Sequence, residues 1–163
     1  MEFKDVYLSK PWLDKYPEGV PHEVDVPEIS VPALFDQMAD KYSQQEALIF
    51  YGKKIKYKEL KALTDRFAAA LTDLGVTKGT TVALYLLNCP QYVIAYLGAL
   101  KAGARVTPIS PVYTSKEVKH QLEDSEATTI VCEDILYDNV QKAGVALNNI
   151  ILSNIGDYLP VMK

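Results

Sequence analysis

The chain has 163 residues, 48% of them apolar and 23% charged, and a formal charge of −4. This is the size of one ordinary domain with a core of its own, and the composition excludes a disordered or fibrous chain. The acidic balance speaks against a nucleic-acid partner, and two cysteines, Cys89 and Cys132, are too few for a disulfide framework and fit no zinc spacing. Free thiols suit a reducing cytosol, so the expected location is cytoplasmic, with peripheral contact to a membrane left open. Glu2, Lys4 and Asp5 break up any leader pattern. No apolar run reaches the roughly 18 residues of a transmembrane helix.

Residues 1–29 read as an irregular arm, because Pro11, Pro17, Pro21 and Pro27 forbid long regular elements. Trp12, Leu13, Tyr16 and Val20 are apolar, so the arm is expected to pack. Draping over its own domain is the plainer reading; exchange with a second subunit in a homodimer is the other. Residues 30–163 read as an α/β subdomain. Ser30 and Pro32 open a helix carrying Leu34, Phe35, Met38 and Tyr42. Two short strands, 46–51 and 53–57, form a hairpin near Gly52, with Ile55 and Tyr57 alternating with lysines. Leu60, Leu63, Phe67, Leu71 and Leu74 form the stripe of a long amphipathic helix, capped at Gly75.

Beyond the Lys78-Gly79 turn the pattern changes. Residues 82–87 are continuously apolar, as in a strand buried on both faces. Helices over 90–102, 114–124 and 136–146 then alternate with strands over 105–109, 129–132 and 149–152. Thr114 and Glu117 are spaced as a capping box. Such alternation predicts a mainly parallel sheet with flanking helices, preceded by the arm, one helix and the hairpin.

The eight glycines are too scattered for a dinucleotide fingerprint or a phosphate-binding Walker loop. No nucleophile elbow is present either. Four groups merit weighing. His120 with Glu117, Glu123 and Asp124 could meet on a helix as an acid–base or metal cluster; a solvated charged face is the preferred reading. Glu133-Asp134 could face a substrate, but capping the next helix is preferred. Cys89 lies between a strand and a helix N-terminus, which would lower its thiol pKa; the preferred reading is an inert capping residue. The lysines at 53, 54, 56, 58 and 61 suit a solvated edge hairpin better than a nucleic-acid groove. Gly98, inside a strong helix, is expected to permit close helix–sheet packing.

Several phrases in order resemble the N-terminal part of adenylate-forming acyl-CoA synthetases. They are Pro11-Trp12-Leu13, Tyr57-Lys58-Glu59-Leu60, Asn88 with Pro90-Gln91-Tyr92, and Gly98-Ala99-Leu100-Lys101-Ala102-Gly103. Pro111-Val112-Tyr113-Thr114 with Glu117 and His120-Gln121-Leu122-Glu123-Asp124-Ser125 completes the set. The Pro-Trp-Leu opening looks like the long-chain fatty-acid branch. The resemblance implies a ligase that uses ATP, magnesium and coenzyme A to convert a fatty acid to acyl-AMP and then to the thioester. It also implies that the loop Ser110, Pro111, Val112 and Tyr113 lines a coenzyme A or substrate channel.

The family's glycine-rich phosphate loop is missing: Tyr113-Thr114-Ser115-Lys116 matches its opening letters, but lysine stands where glycine is required. No catalytic or metal-binding residue is therefore assigned. No cofactor is expected to bind this segment tightly, and its main partner is the remainder of the same polypeptide. Two alternatives stay open. One is another adenylate-forming enzyme: an aryl-CoA ligase, a luciferase-like enzyme or an acyl-AMP ligase. The other is a stand-alone protein-interaction module without catalysis.

Overall fold

A computed structural model describes residues 3–160. The arm holds helix α1 (Phe3–Leu8) and a 3₁₀ turn (Pro11–Lys15); its later prolines lie outside regular structure. The arm is thus less irregular than its prolines predict. Its aromatic residues meet one another: the Tyr7 and Trp12 rings lie 5.4 Å apart, those of Tyr16 and His22 5.9 Å apart. Trp12 and Tyr16 remain 40% and 42% exposed, and among the described residues none from the arm joins a core cluster. The expected draping over the domain is therefore not seen. A six-residue helix and one 3₁₀ turn offer too little apolar stripe to hold onto it.

Helix α2 (Val31–Lys41) starts where Ser30 accepts the N–H of Ala33 on its side chain. Strands β1 (Glu46–Phe50) and β2 (Lys53–Lys56) pair antiparallel as a separate two-stranded sheet. Helix α3 (Tyr57–Asp73) takes in Tyr57, which alternation alone had placed in the strand. Its C-terminus is closed by Gly75 at φ +84°, with the N–H of Val76 donating to Leu71 at 2.9 Å.

The remaining elements alternate: β3 (Thr81–Tyr85), α4 (Pro90–Lys101), β4 (Arg105–Pro108), α5 (Ser115–Asp124), β5 (Ala127–Glu133), α6 (Tyr137–Ala143) and β6 (Asn149–Ser153). The four strands form a parallel sheet in the order β4-β3-β5-β6. Val82 and Leu84 face α3 and α4, while Ala83 and Tyr85 face α5 and α6. Helix α6 stops earlier than the expected residue 146, because Gly144 turns left-handed at φ +66° and ends it. Among the described residues no helix is long and apolar enough to cross a membrane.

Two features bind α2, α3 and α4 together. The Lys101 ammonium sits between Asp36 of α2 and Asp65 of α3, against the Phe35 ring. Gly98 lets α4 press against α3: a Cβ there would lie 2.8 Å from Cδ1 of Phe67 and 3.2 Å from the carbonyl oxygen of Thr64. The close approach is helix to helix, not helix to sheet as expected. Gly98→Ala should therefore lower stability by about 1–3 kcal/mol, even though alanine favours a helix interior by roughly 1 kcal/mol. Urea unfolding checks this; a raised midpoint would show that the helices part without cost.

Candidate functional site

All four parallel strands end on one edge, where open α/β sheets place their ligand crevices. The chain leaves β3 towards β4 on one side and β5 towards β6 on the other, so the switch point lies between β3 and β5. Four connections converge there: residues 86–89, 109–114, 134–136 and 154–158.

The loop Ser110–Tyr113 is held from below. The buried Tyr85 donates its hydroxyl to the Tyr113 carbonyl at 3.0 Å. The Asn139 amide of α6 donates to the Tyr85 oxygen at 3.1 Å and to the same carbonyl at 3.3 Å. The Thr114 N–H and hydroxyl both donate to the Glu117 carboxylate, at 2.8 and 2.7 Å, so the reach-back of the predicted capping box is present. These two bonds hold the Glu117 carboxyl below its ordinary range. Ser110, Pro111 and Tyr113 are half-buried, while Val112 is 87% exposed and points to solvent. Tyr113 borders an open cleft of about 350 Å³ with Lys116, Glu117, His120 and Gln121.

The His120 cluster does not assemble. His120 is exposed, Glu117 is occupied by Thr114, and Glu123 pairs with Lys119 at 3.8 Å. Among the described residues no group of three His, Cys, Asp or Glu side chains is placed to hold a metal.

Beneath the switch point lies a buried polar group centred on the first of the two carboxylates weighed above, for which the preferred reading was a cap. Glu133, at the end of β5, is 0% exposed. The Cys89 thiol reaches its Oε2 at 4.0 Å, and its Oε1 has no partner. Burial raises the Glu133 carboxyl above its ordinary range; the N–H of Ile155 pulls it down, and Asp134 and Asp157 push it further up. Gln91, in the first turn of α4, donates to the Asn154 carbonyl at 2.8 Å, while its buried Oε1 is also unpartnered. Asp134 accepts from Asn154 at 2.6 Å and from the Ile135 N–H at 2.7 Å, which starts the following 3₁₀ turn (Asp134–Leu136). The preferred capping role thus falls to Asp134. The signal for Glu133 was its place at the end of the apolar run Ile130-Val131-Cys132.

Cys89 caps α4 but is buried, and burial raises its thiol pKa, against the pull of the Tyr92 and Gln91 N–H groups and with help from Glu133. The helix N-terminus therefore does not activate it, contrary to the sharper expectation. Burial, Glu133 and Asp134 push Cys132 up to about 12. The edge offers shape and hydrogen bonds; it brings together no nucleophile with a base and no glycine-lined phosphate cradle among the described residues.

The model of the family described as AMP-binding enzyme matches residues 35–161. The chain belongs to the AMP-binding enzyme family. It is 36% identical over 159 residues to a long-chain-fatty-acid–CoA ligase of Bacillus subtilis, covering 95% of this chain and 28% of that protein. A 4-coumarate–CoA ligase-like protein of rice is 37% identical over 129 residues, covering 79% of this chain and 23% of that one. The crystal structure of a long-chain-fatty-acid-CoA ligase from Archaeoglobus fulgidus superposes with a TM-score of 0.78 at 27% identity, covering 88% of this chain and 32% of that one. The chain therefore spans about a quarter of the length of the curated relatives it matches.

Two outcomes are expected. A chromogenic disulfide should react slowly with both thiols in the folded protein and fast in denaturant; rapid native labelling at Cys89 would contradict its burial. A carboxyl whose folded pKa is raised contributes stability below its unfolded pKa and loses it as pH rises through the folded value. Glu133→Gln should therefore melt higher than the wild type at neutral pH, and the gain should vanish on acidification. Melting curves across pH check the sign; equal gains at all pH values would contradict it.

Proposed function

We propose that this chain is part of a long-chain fatty-acid–CoA ligase, which activates the fatty acid with ATP as acyl-AMP and transfers it to coenzyme A. One observation carries the reading: the match to the Bacillus subtilis ligase runs through 95% of the chain. On this reading residues 30–163 are an incomplete subdomain of a larger ligase domain, and residues 1–29 are its arm. The exposed Trp12 and Tyr16 are free to pack on the remainder of the polypeptide or on a second copy in a homodimer.

ATP and magnesium do not fit the residues in hand, which form neither a phosphate cradle nor a cluster of acidic ligands among the described residues. We assign both to the remainder of the protein, and infer that this segment is inactive alone. The loop Ser110–Tyr113 is the candidate wall of the coenzyme A or acyl channel, because Tyr85 and Asn139 fix its backbone while Val112 stays free. The location that suits the substrate is the cytoplasm, with peripheral contact to the membrane where long acyl chains partition. The rice relative supports a second reading, an aryl-CoA ligase.

The test is pyrophosphate release by the full-length protein with palmitate, benzoate and 4-coumarate in turn. Release with palmitate alone is expected; release with the aromatic acids only would favour the second reading. Isothermal titration of the 163-residue chain with ATP–Mg should show no micromolar binding, and such binding would overturn its assignment as a scaffold.

A further inference from the structure

The connection after β4 is a β-turn pinned at each corner. Residues Ser110–Tyr113 close on themselves: the Tyr113 N–H donates to the Ser110 carbonyl at 3.0 Å. Pro111 stands at the second position, where its fixed φ suits the turn. Val112 stands at the third with a φ that is not positive, so the turn is not of type II. On the way in, the Ile109 N–H donates to the Leu84 carbonyl at 2.8 Å. On the way out, the Thr114 N–H donates to Glu117.

The Tyr113 carbonyl is the corner held from another layer. The Tyr85 hydroxyl donates to it at 3.0 Å and the Asn139 amide at 3.3 Å, and the same amide donates to the Tyr85 oxygen at 3.1 Å. A buried tyrosine hydroxyl needs one acceptor, and the Tyr113 carbonyl supplies it. The Asn139 amide brings a second donor to the other lone pair of that carbonyl. Satisfying the buried hydroxyl does not require that second bond; what it adds is direction, because two donors fix the carbonyl in angle as well as distance. Tyr85 is fully buried in the sheet's centre and Asn139 is half-buried on α6, so the aim of the turn is set from below. Lys116 and His120 border the cleft beside Tyr113. Such polar neighbours suit coenzyme A, which carries anionic phosphates, better than an acyl chain, which needs a continuous apolar lining.

We propose that Asn139 and Tyr85 are positioning residues for the thioester-forming step. They set the angle of the Ser110–Tyr113 turn, and through it the wall that coenzyme A passes. Neither touches a substrate. The inference rests on the ligase reading above, including its use of this turn as a channel wall. It adds a control point on α6, 26 residues along the chain from the carbonyl it holds, which acts by donating a hydrogen bond.

The test is steady-state kinetics of the full-length protein, comparing the KM for coenzyme A with the KM for palmitate. Asn139→Ala leaves the Tyr85 hydroxyl on the carbonyl and should raise the KM for coenzyme A by only about threefold. Asn139→Asp keeps the size and loses the donor. Its carboxylate accepts the Tyr85 hydroxyl hydrogen, so the Tyr113 carbonyl is left with neither donor. That variant should raise the KM for coenzyme A by about tenfold or more, with the KM for palmitate within about twofold of the wild type. Tyr85→Phe combined with Asn139→Ala removes both donors without adding a charge and should match it; this pair decides the matter where the aspartate variant fails to fold. A merely structural role predicts the reverse order, since alanine loses more packing than aspartate, and equal effects on both substrates. Either result overturns the inference and leaves the ligase reading standing, as does an unchanged KM for coenzyme A in the double variant. A shift in the KM for palmitate alone assigns the turn to the acyl channel and also overturns it. A wild type that releases no pyrophosphate with any acid overturns the ligase reading, and the inference with it.

Discussion

Burial of β3 on both faces is the constraint from which the rest of the fold follows. All five of its residues are buried, and their alternation sends Val82 and Leu84 to one helical layer and Ala83 and Tyr85 to the other. A strand so placed must have neighbours on both edges, and it has β4 and β5. That central position creates the switch point, and with it the crevice at the carboxyl edge. Tyr85 carries the constraint onward. Its ring is core, but its hydroxyl must find a partner when buried, and the partner it finds is the carbonyl of Tyr113. The packing of the sheet's centre thereby fixes the backbone of the loop above it.

The same edge shows how burial and polarity compete. At the N-terminus of α4, two backbone N–H groups act to make Cys89 more acidic, yet desolvation dominates and the thiol is raised. Glu133 meets the same competition, and its N–H partner does not outweigh burial. The facing Cys89 thiol donates to its Oε2 at 4.0 Å. Gln91 and Asn154 add a link from α4 to the segment after β6. These groups join helix, strand and loop at the point where the topology leaves a crevice.

Much of this was legible in the chain because local patterns carried it. The continuous apolar run of β3, the Gly75 cap and the Thr114–Glu117 pair each specify their element through nearby residues. The loop Ser110–Tyr113 was legible as a connection at the strand ends, but its anchoring was not, since Asn139 lies 26 residues from the carbonyl it meets. Glu133 was weighed as a cap or a substrate-facing group, but its burial was not legible: a glutamate closing a strand reads as exposed until distant segments cover it. Gly98 was recognised as a point of close approach, yet which element approaches depends on the crossing of α3 and α4, which no single segment encodes. The arm misled because apolar side chains show that something will be covered, not what covers it.

The hairpin illustrates how one small element can separate stability from contact. Two strands alone are marginal in water, and these depend on their inner face, where Ile55 is packed with Leu60 and Ile94. Lys53 adds a second tether, donating to the Asp157 carbonyl at 3.4 Å with its ammonium 4.8 Å from the centre of the Tyr158 ring. On the outer face Lys54 is paired with Glu46 at 2.6 Å, an exposed contact that ties the two strands to each other. The inner face answers to the core and the outer face does not, so the outer face is free to carry charge and apolar side chains that the fold itself does not need.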